Sequence, residues 1–539
     1  MTKLKYIKNI GLGIIIAFFL ASPITTIAQE ALQESQVKFA RLLRLVDGYY
    51  VDTANVEELT EKAIVHLLEE LDPHSTYISQ EEVEKMNEGL KGNFEGIGIA
   101  FNIFKDTLLV TTTIAGGPSE KVGLRAGDRI VKVDNKDVAG IGLKNSDVYD
   151  LLRGEKGTEV DLTIVRRKTP APLDFTIIRD RIPIFSLDAS YMLDESTGYI
   201  KLNKFAATTT DEFAAAMDEL KSSGVKNLVL DLRNNGGGYL KSAIELSDQF
   251  LKNDQLIVYT DGINDPKRDY KATSQGSFEE GKLVVLVDEG SASASEIVTG
   301  AVQDWDRGIV VGRRSFGKGL VQKPFFLNDG SMVRLTTAHY YTPSGRCIQK
   351  PYDDGVGEYR KDYANRISNG EMFSADSIHF DDELKHKTLV NGRDVYGGGG
   401  VMPDIFVPLD TSSHYSYINK LRRKQVTNNF VLDFVDTHRE ELQKTYPEFD
   451  EFNEQFEITA EQIEQLVSKG IEEGIERDDE SLSFLGDDLK LELKALMARD
   501  LFSRNDMYKI LNVKDDAIIK ALEVIENQKQ YENLLVSTD

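Results

Sequence analysis

Cysteine is almost missing: Cys347 is the only one in 539 residues. No disulfide can form within the chain, and no cysteine-based zinc site can be assembled. A lone thiol of this kind reads as a small buried hydrophobe rather than a nucleophile. Basic residues are outnumbered, with 64 Lys+Arg against 89 Asp+Glu and a formal net charge of −25. That excludes a general nucleic-acid binder, because no basic surplus is left to neutralise phosphates. Beyond the N-terminus there is no apolar run long enough to span a membrane. Low-complexity tracts are also missing, so the chain reads as globular throughout.

What is present begins with "MTKLKYIKNIGLGIIIAFFLASPITTIAQE". Lys3, Lys5 and Lys8 precede an apolar run from Ile10 to Ala21, followed by Pro23 and the small-residue site Thr26-Ile27-Ala28. This is the pattern of a secretory leader cleaved after Ala28. An uncleaved anchor is the alternative, but the run is short for a bilayer span. No cysteine follows it, which rules out bacterial lipid attachment. The mature protein is expected outside the cytoplasm, with the periplasm the expected compartment. Hydrophobic content of 41% and charged content of 28% are ordinary for a globular protein, and the length implies three or four domains.

Residues 29–92 read as helical. Phe39, Leu42, Leu43 and Val46 form one stripe, and a second helix runs from about Val56 to Leu71 with His66 on its apolar side, a core histidine by position. Residues 93–170 form a small strand-rich module with Gly96 and Gly98 around a β-like stretch and one helix, capped by Ser146 and stopped by Gly154. Residues 171–409 alternate strands and helices, an α/β pattern, with "KNLVLDLR", "KLVVLVD" and "GIVVG" as buried strands and "NDG" as a hairpin turn. Residues 410–539 are charged and helical; Leu489, Leu493, Leu496 and Met497 form one stripe, and Ile518, Leu522 and Ile525 another. This extension carries no chemical motif.

Chemistry concentrates in "VDEGSASASEIV", where Ser291, Ser293 and Ser295 sit between a buried strand and a helix. A nucleophile at such a turn projects clear of the sheet with backbone N–H groups beside it. Helix capping would need only one serine. A serine hydroxyl needs a base. His339 lies in a strand, and His379 and His386 lie in a charged loop. Lys318, between two glycines in "SFGKGLVQ", is the other candidate, since burial favours its neutral form. In an extended "KGLVQ" the period of two puts Gln322 on the same face as Lys318. "GRRSFGKG" nearly matches a phosphate loop, but Gly319 replaces the magnesium-binding hydroxyl and a strand follows where a helix is required. "NNGGG" offers the amides of Gly237 and Gly238 as oxyanion donors.

"GSASASEI", "SFGKGLVQ", "DLRNNGGG", "LDPHSTYI" and "GVMPDI" together resemble the C-terminal processing, or tail-specific, serine protease family over residues from about 35 to 410. The resemblance implies a multidomain α/β fold. It comprises a crotonase/Clp-protease-like peptidase core, an inserted PDZ-like domain, a helical N-terminal region and a helical C-terminal extension. It implies Ser293 as nucleophile, Lys318 as base 25 positions later, Gln322 positioning that lysine, and Asp304 as a supporting acid. Ala294 and a glycine of the 236–238 run match the oxyanion hole, with Ser291 and Ser295 structural. In the PDZ-like module, Gly96, Ile97, Gly98 and Ile99 match a carboxylate-binding loop, and Val148 and Leu151 a groove wall. Such a groove takes a peptide as an added strand. The expected partners are proteins or peptides with free, apolar C-terminal tails, and pairing through helical ends implies a homodimer. No metal or organic cofactor is expected. The competing reading from another class is a catalytically silent PDZ scaffold that binds C-termini; among enzymes it is a serine–histidine hydrolase using His339.

Overall fold

The computed structural model describes residues 22–114, 116–409 and 415–536. The leader read at residues 1–28 lies outside them as far as residue 21. The chain forms two units that meet in sequence at Tyr77 and Ile78. The first contains helices Ser22–Tyr49 and Val56–Glu69, the latter capped by Asn55, whose side chain accepts from the Glu58 N–H. The expected cleavage point after Ala28 falls inside the first helix. Its apolar stripe exists but is not buried: Phe39 is 43% and Leu42 54% exposed. His66 is not a core residue either; its side chain is 76% exposed and lies about as close to Glu69 as to Glu70. Helical periodicity identifies a face and leaves open what covers it.

The second unit is built around a six-stranded sheet in the order Leu187–Met192, Thr197–Leu202, Asn227–Asp231, Leu283–Val287, Ile309–Gly312 and Ile405–Phe406. The first pair is antiparallel and the remaining pairs are parallel. Parallel strands carry layers on both faces, which is why these segments are continuously apolar. Alternation assigns the two sides. Leu228, Leu230, Val285 and Val287 pack with Phe213, Met217, Val298 and Ala301 of the crossover helices. Val229, Val284, Leu286 and Val311 pack with Ala517, Ile518, Ala521 and Val524 of helix Asp516–Glu526, so the far C-terminus forms the second layer. "NDG" does join a hairpin, Leu320–Phe326 with Met332–Tyr341.

The PDZ-like module is a sheet in the order Ile99–Ile103, Leu108–Thr113, Arg129–Val133, Glu159–Val165 and Leu173–Ile178, with helix Asn145–Leu152 beside it. The last strand extends the module beyond the expected boundary at 170, because Leu173–Ile178 pairs with Glu159–Val165 residue for residue. The helix starts at Asn145 with Lys144 at the cap, not at Ser146; the Asp147 carboxylate takes the Lys144 N–H instead. Two strands, Asn93–Gly96 and Asp180–Pro183, pair as a neck below the module. The extension, from Tyr415, is a helical bundle with its own core of Tyr417, Phe430, Val431, Leu466, Leu489 and Leu493. Among the described residues no helix is long and apolar enough to cross a membrane.

Candidate active site

Strand Leu283–Val287 ends in a loop that turns into helix Ala294–Asp304, and Ser293 sits at the bend with φ 56° and ψ −111°. A non-glycine residue at positive φ is uncommon and needs surrounding bonds to hold it. Those bonds use the backbone of Ser293. Its N–H donates to Glu296 Oε2 at 2.8 Å, and its carbonyl accepts the N–H groups of Glu296 and Ile297 at 2.9 and 3.0 Å. The start of the helix is therefore held by the Ser293 backbone and the Glu296 carboxylate in the manner of a capping box.

The neighbouring serines lock the loop. Ser291 is fully buried and donates to the Leu232 carbonyl at 2.8 Å, and Ser295, also fully buried, donates to the Asn235 carbonyl at 2.8 Å. Both partners belong to the other sheet-edge turn, "LRNNGGG". Asn235 ties that turn together: its Oδ1 accepts the Gly237 N–H at 2.9 Å, its Nδ2 donates to the Leu202 carbonyl at 3.1 Å, and its carbonyl takes the Ala292 N–H at 3.0 Å. Gly237 lies directly against the serine. A Cβ there would fall 2.8 Å from Ser293 Cβ and 3.0 Å from the Ala294 nitrogen. The Gly237 amide is thus spent on Asn235. Ala294 opens its helix, where an amide has no intrahelical partner.

Lys318 enters from the loop after strand Ile309–Gly312. Its Nζ donates to Gln322 Oε1 at 3.0 Å across a bulge between Val321 and Gln322. The flanking glycines serve backbone packing rather than access for a substrate. A Cβ on Gly319 would meet the Gln349 nitrogen at 2.8 Å, and one on Gly317 the Gly399–Gly400 peptide at 3.1 Å. That also gives "GGGG" its place: Val401 and Ser315 exchange two hydrogen bonds, at 2.7 and 3.1 Å.

Two residues that the sequence reading did not single out hold the serine and lysine segments together. Glu296 is completely buried, and all four of its partners are donors. Ser315 Oγ (2.6 Å) and the Gly317 N–H (2.7 Å) bond to Oε1; the Ser293 N–H (2.8 Å) and the Lys318 N–H (2.9 Å) share Oε2. Burial pushes this carboxyl above the usual glutamate range, and the donors oppose that push. The S-x-x-E spacing of Ser293 and Glu296 is that of a capping box, a legible signal. The second residue is Tyr340. Its hydroxyl lies 3.0 Å from the Ser293 carbonyl and also within hydrogen-bond distance of the Lys318 carbonyl, donating its one proton between them. Burial holds this phenol far above its ordinary pKa, so it stays protonated.

The other candidates lie elsewhere. His339 neighbours Tyr340 on one strand and so leaves by the opposite face, where its Nδ1 is 3.9 Å from Cys347 Sγ. Asp304 is at the far end of the serine helix, about 16 Å away at 1.5 Å per residue. It is fully buried, pairs with Arg346 at 2.8 Å and accepts the Ser344 N–H at 2.9 Å, so its reach is to the loop around Ser344 and not to the serine. In the PDZ-like module, Ile99–Ile103 is an edge strand, and Phe101 meets Tyr149 of the helix edge-to-face at 5.6 Å. Gly98 has φ 76° and its carbonyl accepts the Ile114 N–H at 3.0 Å; Gly96 belongs to the neck. Ile97 and Val148 are buried in the module's own core, and Leu151 packs against that core. The residues facing outward beside the edge strand are one helical position away, at Tyr149.

Residues 196–357 match Peptidase family S41, residues 109–166 match the PDZ domain, and residues 417–503 match a family of unknown function. The chain is 38% identical over 336 residues to a carboxy-terminal-processing protease of Bartonella bacilliformis, covering 61% of this chain and 76% of that one. It is 33% identical over 368 residues to a probable CtpA-like serine protease of Staphylococcus aureus, covering 67% and 72%. Among solved structures, a photosystem II D1 C-terminal processing protease aligns at 30% identity and TM-score 0.34, over 58% of this chain and 90% of that one. The peptide-bound PDZ domain of a Vibrio cholerae carboxy-terminal protease aligns at 31% identity and TM-score 0.16, over 17% and 99%.

Proposed function

Since the chain belongs to the carboxy-terminal-processing proteases of peptidase family S41 and carries their PDZ domain, we propose that it is an exported endopeptidase that cuts proteins near their C-terminal tails by a serine–lysine mechanism. One observation carries the proposal: the backbone amides of Ser293 and Lys318 bond to the same oxygen of buried Glu296. A carboxylate fixed this way ties the nucleophile's segment to the base's segment. Neutral Lys318 takes the Ser293 proton as Oγ attacks the scissile carbonyl, and the developing oxyanion faces the Ala294 and Gly238 amides. The lysinium returns its proton to the leaving amine, and a water then hydrolyses the acyl-enzyme with Lys318 again as base. Gln322 orients Nζ. Asp304 supports the fold around the site from a distance.

The PDZ domain reads the tail. A substrate's terminal segment adds to the edge strand Ile99–Ile103, with its carboxylate on the amides of the Gly96–Ile99 loop. The basic, then apolar, then small-residue order of residues 1–28 supports export, with the periplasm as compartment. The exposed stripe of Phe39 and Leu42 supports pairing of two copies through their N-terminal helices.

The test is a set of purified variants on a peptide with a free C-terminus. Ser293→Ala and Lys318→Arg should abolish cleavage while remaining folded, since a guanidinium cannot serve as a base. Ser291→Ala, Ser295→Ala and His339→Ala should retain it. Full activity in Ser293→Ala ends the proposal; loss in His339→Ala with retention in Lys318→Arg transfers it to a serine–histidine enzyme. Tail binding without any turnover by the parent protein would favour the silent scaffold.

A further inference from the structure

Residues 417–503 of the extension match a family of unknown function, and one face of this region makes specific contacts. On helix Val426–Thr445, Asp433, Asp436 and Glu440 follow the i, i+3, i+7 spacing of a single face. Opposite them is one end of the PDZ sheet. Lys105 is in the hairpin turn between Ile99–Ile103 and Leu108–Thr113; Arg129 opens its strand; Arg167 and Lys168 follow the end of Glu159–Val165. Strand register brings these positions together, since Leu109 pairs with Arg129 and Arg129 with Val165. The pairs are Lys105 Nζ to Asp433 at 3.3 Å, Arg129 Nη2 to Asp436 Oδ2 at 2.7 Å, Arg167 Nη1 to the Asp436 carbonyl at 3.0 Å, and Lys168 to Glu440. The seam is close-packed at its centre: the Asp436 side chain is only 5% exposed, and a Cβ on Gly127 would come within 3.5 Å of its Oδ1.

The helix is itself anchored. Phe430, Val431 and Val435 are in the bundle core, and the bundle is tied to the peptidase sheet, where Asn505 Oδ1 accepts the Ser190 N–H at 3.0 Å and Asn512 Nδ2 donates to the Tyr191 hydroxyl at 2.7 Å. The PDZ domain also joins the core through its two-stranded neck and an ion pair between Arg153 and Glu88, and a two-stranded ribbon is a weak support by itself.

We infer that the extension is a brace whose acidic stripe grips the basic end of the chain's own PDZ sheet and fixes how that domain is presented to the peptidase core. The grip is by charge rather than by apolar surface, so it is releasable. The exposed pairs at its rim are weak and screened by salt, whereas Asp436 is shielded, and removing it strands Arg129 beside a buried gap. The brace stands independently of the serine–lysine chemistry, because its primary readout is domain motion.

The experiment uses the full chain with Cys347→Ala and donor and acceptor dyes on Lys136→Cys in the PDZ domain and Lys252→Cys in the core. Single-molecule energy transfer should give one narrow distribution at low salt. Asp436→Ala should broaden it, and so should molar sodium chloride on the parent. Glu440→Lys should broaden it partially, and adding Lys168→Glu should restore it, an arm that uses only exposed residues and survives any folding failure of Asp436→Ala. Glu440→Lys should also reduce the preference for a free-acid over an amidated substrate at least threefold, with Lys168→Glu restoring it. A distribution that stays narrow in both acidic-stripe variants and in high salt overturns the brace, as does failure of the Lys168→Glu restoration. Loss of activity in every form with normal narrowing and broadening would instead refute the peptidase chemistry and leave the brace intact.

Discussion

Glu296→Gln tests the clamp with almost no change of shape. One carboxylate oxygen becomes an amide nitrogen, which donates where the site supplies donors. The Ser315 hydroxyl can rotate to accept, whereas backbone amides cannot, so the new nitrogen settles at the Oε1 position beside Ser315 and Gly317. The Gly317 N–H is then left unsatisfied, which costs about 1–3 kcal/mol, and the Ser293 and Lys318 amides exchange a charged acceptor for a neutral one, about 1 kcal/mol each. Relief of the buried charge offsets part of this, leaving on the order of 2–3 kcal/mol. Expressed wholly in rate, that is about a 30- to 150-fold loss of kcat/KM. The assay is single-turnover acylation alongside a urea titration, which divides the loss between chemistry and stability. Glu296→Asp should do no better, because the shorter side chain cannot span both segments. If Glu296→Gln acylates and unfolds within twofold of the parent, the shared-carboxylate reasoning is wrong.

Three further outcomes are expected. Tyr340→Phe keeps the ring and deletes the hydroxyl between the Ser293 and Lys318 carbonyls, so kcat should fall about 3- to 10-fold, one neutral hydrogen bond's worth, with KM unchanged; an equal rise in KM would mean that the hydroxyl serves binding instead. Gly237→Ala forces a Cβ to 2.8 Å from Ser293 Cβ at φ 98°, so labelling of the serine by a fluorophosphonate should be lost in protein that still unfolds cooperatively; normal labelling would count against the close approach. Asp231 is buried, which alone would raise its pKa, but Arg233 and Lys201 outweigh burial and hold it well below the usual carboxylate range. Its folded pKa is thus below its unfolded one, and its contribution is present above about pH 4 and lost as pH falls. Asp231→Asn should therefore be less stable at pH 7 with a flatter acid limb in urea midpoints, and parallel curves for the two proteins would contradict this.

The strands under the site were legible because both of their faces are apolar: "LVVLV" leaves little choice but a buried parallel strand. The bend that presents Ser293 was legible for the same reason, as the place where that run gives way to small residues. Glu296 was legible in principle through its capping spacing. Asn235 and Tyr340 were not, because their bridging partners lie between 22 and 60 residues away and no local pattern marks a side chain that bridges two loops. His66 and Val148 show the reverse limit. Periodicity placed both on helices, but which neighbours cover a given face is a tertiary fact, and it exposed one and buried the other. The extension was readable as helices and silent as to purpose, since an acidic stripe looks like a solvated face until its basic counterpart is brought alongside.

The second layer of the central sheet comes from residues 516–534, far along the chain from the strands it covers. Without them, Val229, Val284, Leu286 and Val311 would lose this cover, and the strand that leads into Ser293 would be bare on one side. Tyr531 closes the arrangement by bonding to both polar groups of Leu283, whose N–H it accepts at 2.9 Å. The strand that presents the serine is thereby finished by a segment remote from it in sequence. A chain cut before residue 516 is expected to present an unfinished sheet beneath the serine bend, and to lose peptide hydrolysis with it.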